Sequence, residues 1–142
     1  LAHLTLGQAE AAIDAALQKG RELGLKPLTV AALDAGGHLI ALKRQDGASN
    51  LRPQLAIGKA AGALALGVSS RAIGEMAAER PTFVAALGPI ASQGLIPAAG
   101  GVIVVDRDGE VIGAIGATGD SSDNDEACVL AGLLAAKLLA KT

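Results

Sequence analysis

The stretch that most restricts the fold is GGVIVVDRDGEVIGAIGATG, residues 100–119. Its run Val102-Ile103-Val104-Val105 is β-branched throughout, as a buried strand requires. Asp106-Arg107-Asp108-Gly109 then reverses the chain, with Gly109 free to take positive φ in a hairpin turn. Val111 to Ala117 returns, with Gly113 and Gly116 too small to hold off another backbone or a ligand. The ribbon then opens through Gly119 onto a cluster of acids. The rest of the chain can be placed by asking which face of this ribbon it covers.

Upstream, Thr5 and Gln8 have capping-box spacing, and Ala9, Ala12, Ile13, Ala16 and Leu17 recur at helical period, with Gly20 or Gly24 as the stop. Leu28 to Leu33 and His38 to Arg44 read as strands joined by Asp34-Ala35-Gly36-Gly37, a turn that resembles the later one. Ser49 or Asn50 is the expected cap of a helix running to about Leu66. Gly58 and Gly62 lie on one face of it, so a strand or a twin helix from another subunit is expected at close range. Ser69 or Ser70 caps a shorter helix, which Pro81 stops before one further turn to Leu87. Residues 88–99 carry no charge and are expected to lie over apolar surface. Ser122 with Asp125, or Asp123 with Glu126, marks a last helix whose apolar face is expected to be Ala127, Leu130, Ala131, Leu134 and Leu138. Lys137 and Lys141 suit its C-terminal dipole. The order helix, hairpin, helices, hairpin, helix makes residues 1–142 a single α/β (α+β) domain, an antiparallel sheet with helices on both faces.

Composition narrows the functions. Apolar residues make up 51% of the chain but aromatics only 1%, so the core is built of Ala, Leu, Ile and Val. So much apolar surface in a chain without a spanning segment is expected to be covered in part by homo-oligomerisation. A net charge of −2, no basic stripe and almost no stacking aromatics exclude nucleic acid as a partner. The apolar runs break well short of about 18 residues, which excludes a membrane helix. The lone Cys128 excludes an internal disulfide, and the expected compartment is cytoplasmic.

One constellation could bind an anion. Gly100 and Gly101, Lys59 on its helix, and Thr118 leading to Asp125 and Glu126 combine a lysine with backbone N–H groups at a helix start. In an enzyme for a small oxygenated carboxylic acid, Lys59 would be the anchor or acid–base group and Asp125 or Glu126 its partner. Two plainer readings stand beside it: the acids as helix caps, and Lys59 as a snorkelling side chain. The acids lack calcium-loop spacing, G-x-x-G-x-x-G over 113–119 is not a dinucleotide fingerprint, and His3 and His38 alone make no metal site.

Several stretches together resemble the GlcG/HbpS family of haem-binding or haem-degrading domains, also found as the C-terminal domain of PduO. They are VAALDAGGHL (30–39), AIGKA (56–60), Ile96 to Gly101, DGEVIGAIG (108–116) and DEAC (125–128). Where the family often places a proline after the paired glycines, this chain has Val102. The resemblance implies a profilin-like α/β/α sandwich with a five-stranded antiparallel sheet, in a dimer-based oligomer such as an octamer. It implies haem as cofactor, with degradation or sensing as the attached roles, or else a non-catalytic accessory module. For haem, His38, His3, Met76 and Cys128 are the available axial types, and His38, Lys59, Gly100, Gly101 and Thr118 are the candidate contacts.

Overall fold

The computed structural model describes residues 2–142. Helix α1 (Leu6–Glu22) is followed by strands β1 (Thr29–Asp34) and β2 (Leu39–Arg44). Helices α2 (Arg52–Leu66), α3 (Ser70–Glu79) and α4 (Pro81–Leu87) come next, then a 3-10 turn over Gly88–Ile90. Strands β3 (Gly101–Val105) and β4 (Val111–Thr118), helix α5 (Ser122–Ala135) and the short strand β5 (Leu139–Ala140) complete the chain. The sheet is antiparallel, in the order β2-β1-β4-β3-β5. It is the profilin-like α/β/α sandwich the resemblance implied, with α1 and α5 on one face and α2 on the other.

The capping box of α1 forms as its spacing predicts: Gln8 N–H donates to Thr5 Oγ1, and Thr5 N–H donates to the Gln8 side chain. The predicted stripe of α1 is buried, and it packs on Cys128, Val129 and Leu133 of α5. The two helices meet closely because α5 offers Gly132, where a Cβ would run into the carbonyl of Ala12. On the opposite face, Gly101 and Gly116 let α2 sit directly on the central strands. A Cβ on either would strike helix backbone, at Lys59 and Ala56 respectively. The two hairpins share one device. Asp34 Oδ1 accepts from the N–H groups of Gly36 and His38, and Asp106 Oδ1 accepts from those of Asp108 and Glu110.

Four expectations need correction. The glycine face of α2 meets neither a strand nor another subunit but the chain's own uncharged loop: Ile96 packs over Gly58 and Leu95 over Gly62. Neither Ser49 nor Asn50 caps α2; Leu51 precedes the helix without a side-chain cap, and Asn50 instead accepts from Arg44 at 3.4 Å. The cap of α5 is Ser121, one residue ahead of the expected boxes, accepting from Asn124 N–H. The buried side of α5 is Asp125, Cys128, Val129, Gly132 and Leu133, whereas Leu130 and Leu134 are 44% and 81% exposed. Periodicity alone could not choose between these two faces, because leucines populate both. The chain also continues past α5 into β5, too short for a pattern; Lys137 takes φ 58° at the bend, and Lys141 donates to Gly67 O at the end of α2.

Candidate functional site

Lys59 is carried on the buried side of α2 and is 4% exposed. Its Nζ donates to Asp125 Oδ2 at 3.1 Å and to the Ala117 carbonyl at 3.0 Å. Asp125, 1% exposed, uses Oδ1 to accept from the N–H of Asp120. The pair therefore ties α2, β4 and the start of α5 into one internal knot. Burial pulls the lysine below its ordinary pKa, Asp125 pulls it back up, and the nearby Arg52 guanidinium adds to the lowering. The glycine-lined space expected beside Lys59 holds the lysine itself: a Cβ on Gly100 would lie 2.9 Å from Nζ. Gly101 N–H donates to Ser70 Oγ at 2.6 Å, a buried contact that sequence reading missed because nothing local in a helix-start serine announces a distant partner.

Glu126 does not join Lys59. It accepts from Arg71 Nε, while Asp123 accepts from Arg71 Nη2, so both acids tie α5 to α3 at the surface. Asp120 works as a local anchor, accepting from Lys26 N–H, Ser121 N–H and Asn124 Nδ2; these bonds bring its pKa down from 3.8 to about 2, the Asn124 bond foremost. Thr118, buried at the end of β4, accepts from Arg52 Nη1 at 2.8 Å. Arg52 was also missed, because its partner Thr118 lies 66 positions away in the chain.

His38 stands apart from this knot, on the β1–β2 turn, with its side chain 78% exposed. Its Nδ1 lies 3.2 Å from Asp34 Oδ1. Hydrogen bonds, chiefly from the His38 backbone, hold Asp34 below its ordinary pKa. An ionised carboxylate only accepts, so Nδ1 is the nitrogen that donates to Asp34, and Nε2 is the one turned away from it. Beside this turn lies a cavity of about 190 Å³, bounded by Gly36, Gly37, Ala61, Leu64, Gln93 and Gly94 among others. Of the other axial types, Cys128 is fully buried, with its thiol pushed up by burial, and Met76 is half-buried on α3. Among the described residues no cluster of three or more His, Cys, Asp or Glu could hold a metal ion. No helix among them is long and apolar enough to cross a membrane.

A family model described as "Haem degrading protein HbpS-like" matches residues 4–134. No curated protein matches the sequence. Among solved structures, a PduOC–haem complex superposes with a TM-score of 0.87 at 21% identity, covering 99% of this chain and 100% of that one. HbpS superposes with a TM-score of 0.81 at 30% identity, over 94% of this chain and 90% of that chain; a double mutant of the Streptomyces reticuli protein gives the same score and identity. A Klebsiella pneumoniae protein called ORFY gives 0.85 at 23% identity, over 96% of this chain and 93% of that one. At 21% and 23% identity, the PduOC and ORFY matches speak for the fold.

Proposed function

The chain belongs to the HbpS-like family of haem-degrading proteins, and from that premise we propose that it binds haem, with His38 as the axial ligand. The observation that carries the choice of residue is the Asp34–His38 pair. A carboxylate that accepts a hydrogen bond from one ring nitrogen fixes the tautomer and orients the other nitrogen as a ligand, the arrangement typical of metal-binding histidines. Haem iron needs only one such nitrogen from the protein, so the donor set fits. When bound, the group would supply an iron centre with a redox couple; Asp34 would hold the imidazole in orientation through Nδ1. The neighbouring cavity is lined by small residues with Leu64, Ser92 and Gln93, and it is below the roughly 300–1,000 Å³ of pockets that enclose drug-sized ligands.

The alternative placement around Lys59, Gly100, Gly101 and Thr118 is less favoured. The ammonium there already has a carboxylate and a carbonyl, and an incoming propionate would have to displace a buried counter-ion. The same closure weighs against Lys59, Asp125 and Glu126 as an acid–base set, since the first two are sealed from solvent and the third is held by Arg71. Leu130 and Leu134 on the outer face of α5 support a homo-oligomer in which a second copy covers them.

Haem titration tests the reading. The wild type shows a shifted Soret band saturating at one haem per chain. His38→Ala abolishes the shift, His3→Ala leaves it, and Asp34→Ala weakens haem binding by roughly 10–100-fold, the usual cost of losing such a carboxylate. An unchanged spectrum in His38→Ala refutes the ligand assignment, and featureless linear uptake by the wild type refutes haem binding.

A further inference from the structure

A second cavity, of about 200 Å³, opens where the β2–α2 loop meets the end of β4. It is lined by Lys26, Pro27, Gly47, Ala48, Ser49, Arg52 and Gly119. We propose that this cavity is a binding site for a small monocarboxylate, with Arg52 as its anchor. The proposal does not rest on the haem reading, whose residues lie on the β1–β2 turn.

Three independent features converge there. The guanidinium of Arg52 is held by one bond, Nη1 to Thr118 Oγ1 at 2.8 Å. Among the described residues its Nε and Nη2 take no further hydrogen-bond partner, which leaves donors for a planar two-oxygen ligand. Beneath it, Thr29 faces Thr118 directly across the β1–β4 ladder, so the two side chains share the α2 side of the sheet. Thr29 Oγ1 is the one buried side-chain polar atom among the described residues without a hydrogen-bond partner, at 0% exposure. That orphan hydroxyl stands opposite Thr118, the residue that holds Arg52 at the edge of the cavity. Lys26 is the second cation of the lining.

The charges select the class of ligand. Arg52 and Lys26 face the cavity, and Lys26 already acts on Asp120, whose carboxylate offsets part of the positive field. The surplus is close to one charge, which suits a monoanion better than a phosphate dianion. The volume equals roughly seven waters at ~30 Å³ each, enough for a short acid and too small for a nucleotide.

The test uses the apo protein with sodium acetate as probe, sodium chloride at matched ionic strength as control and sodium phosphate as a second arm, read by amide shifts in NMR. Acetate is expected to move the amides of Gly47, Ser49 and Gly119 on one saturable curve that chloride does not reproduce. Arg52→Gln should weaken it about tenfold or more, as loss of a charge-assisted fork does, and Lys26→Ala by a few-fold. Because Arg52 also braces Thr118, Lys26→Ala keeps the idea testable if the arginine variant does not fold. Non-saturating shifts, an unchanged midpoint in the folded variants, or phosphate saturating these amides where acetate does not would each overturn the proposal.

Discussion

A lysine sealed beside an aspartate is costly to bury and costlier to break. Taking one partner of such a pair away leaves an uncompensated charge at 1–4% exposure, with a typical penalty of about 3–5 kcal/mol, whereas replacing both by apolar residues of similar size is often close to neutral. Lys59→Met and Asp125→Leu should each lower the unfolding free energy from urea titration by that order, and the double variant should recover most of the loss; additive losses would show that the two side chains do not act as a pair. Asp120 supplies the acid limb of stability. Its pKa is about 2 in the fold against an ordinary 3.8, so the unfolded chain binds more protons between these values. The stabilisation is complete above about pH 4 and is lost as pH falls toward 2, with Asp34 acting in the same direction. Asp120→Asn should flatten that part of the stability–pH curve while leaving the rest of it in place.

Among the elements, α2 is the one whose position depends most on absent side chains. It rests on Gly101 and Gly116 below and on residues 95–96 above, so it is held between a sheet and a loop of the same chain. Gly116→Ala would set a methyl group against the Ala56 carbonyl, a contact with backbone that no rotamer change relieves. Overpacking of this kind costs typically 1–3 kcal/mol, and here it should reach the upper end or beyond. Thermal unfolding of Gly116→Ala against Gly109→Ala checks this, since Gly109 has open space around it and pays only for its positive φ. A smaller loss at Gly116 than at Gly109 would mean that α2 can lift from the sheet without penalty. Helix α5 shows the opposite case, with leucines on two faces and only one used inside the monomer.

At the scale of the whole molecule, the unused leucines become the prediction. If a second copy covers α5, Leu134→Glu should reduce the mass seen by sedimentation while far-UV circular dichroism stays that of the wild type. A wild type that sediments as a monomer, or a variant that keeps its assembly, would remove this face from the interface. Much of the fold was legible in the chain. The capping box and stripe of α1, the two hairpins with their aspartate turns and the uncharged loop over apolar surface are all local patterns, set by period, cap chemistry and turn residues within a few positions. Resemblance added the fifth strand, which two residues of β5 could not have signalled. The candidate sites were legible only as a set of residue types. That Lys59 would close on Asp125 rather than Glu126, that Glu126 would go to Arg71, and that Arg52 would reach Thr118 are pairings between residues 55 to 66 positions apart. Local sequence determines which elements form and which groups they carry; which groups meet is decided by how those elements pack, and for Lys59 and Asp125 the reason is burial, which leaves an ionic group only the partner that the packing brings to it.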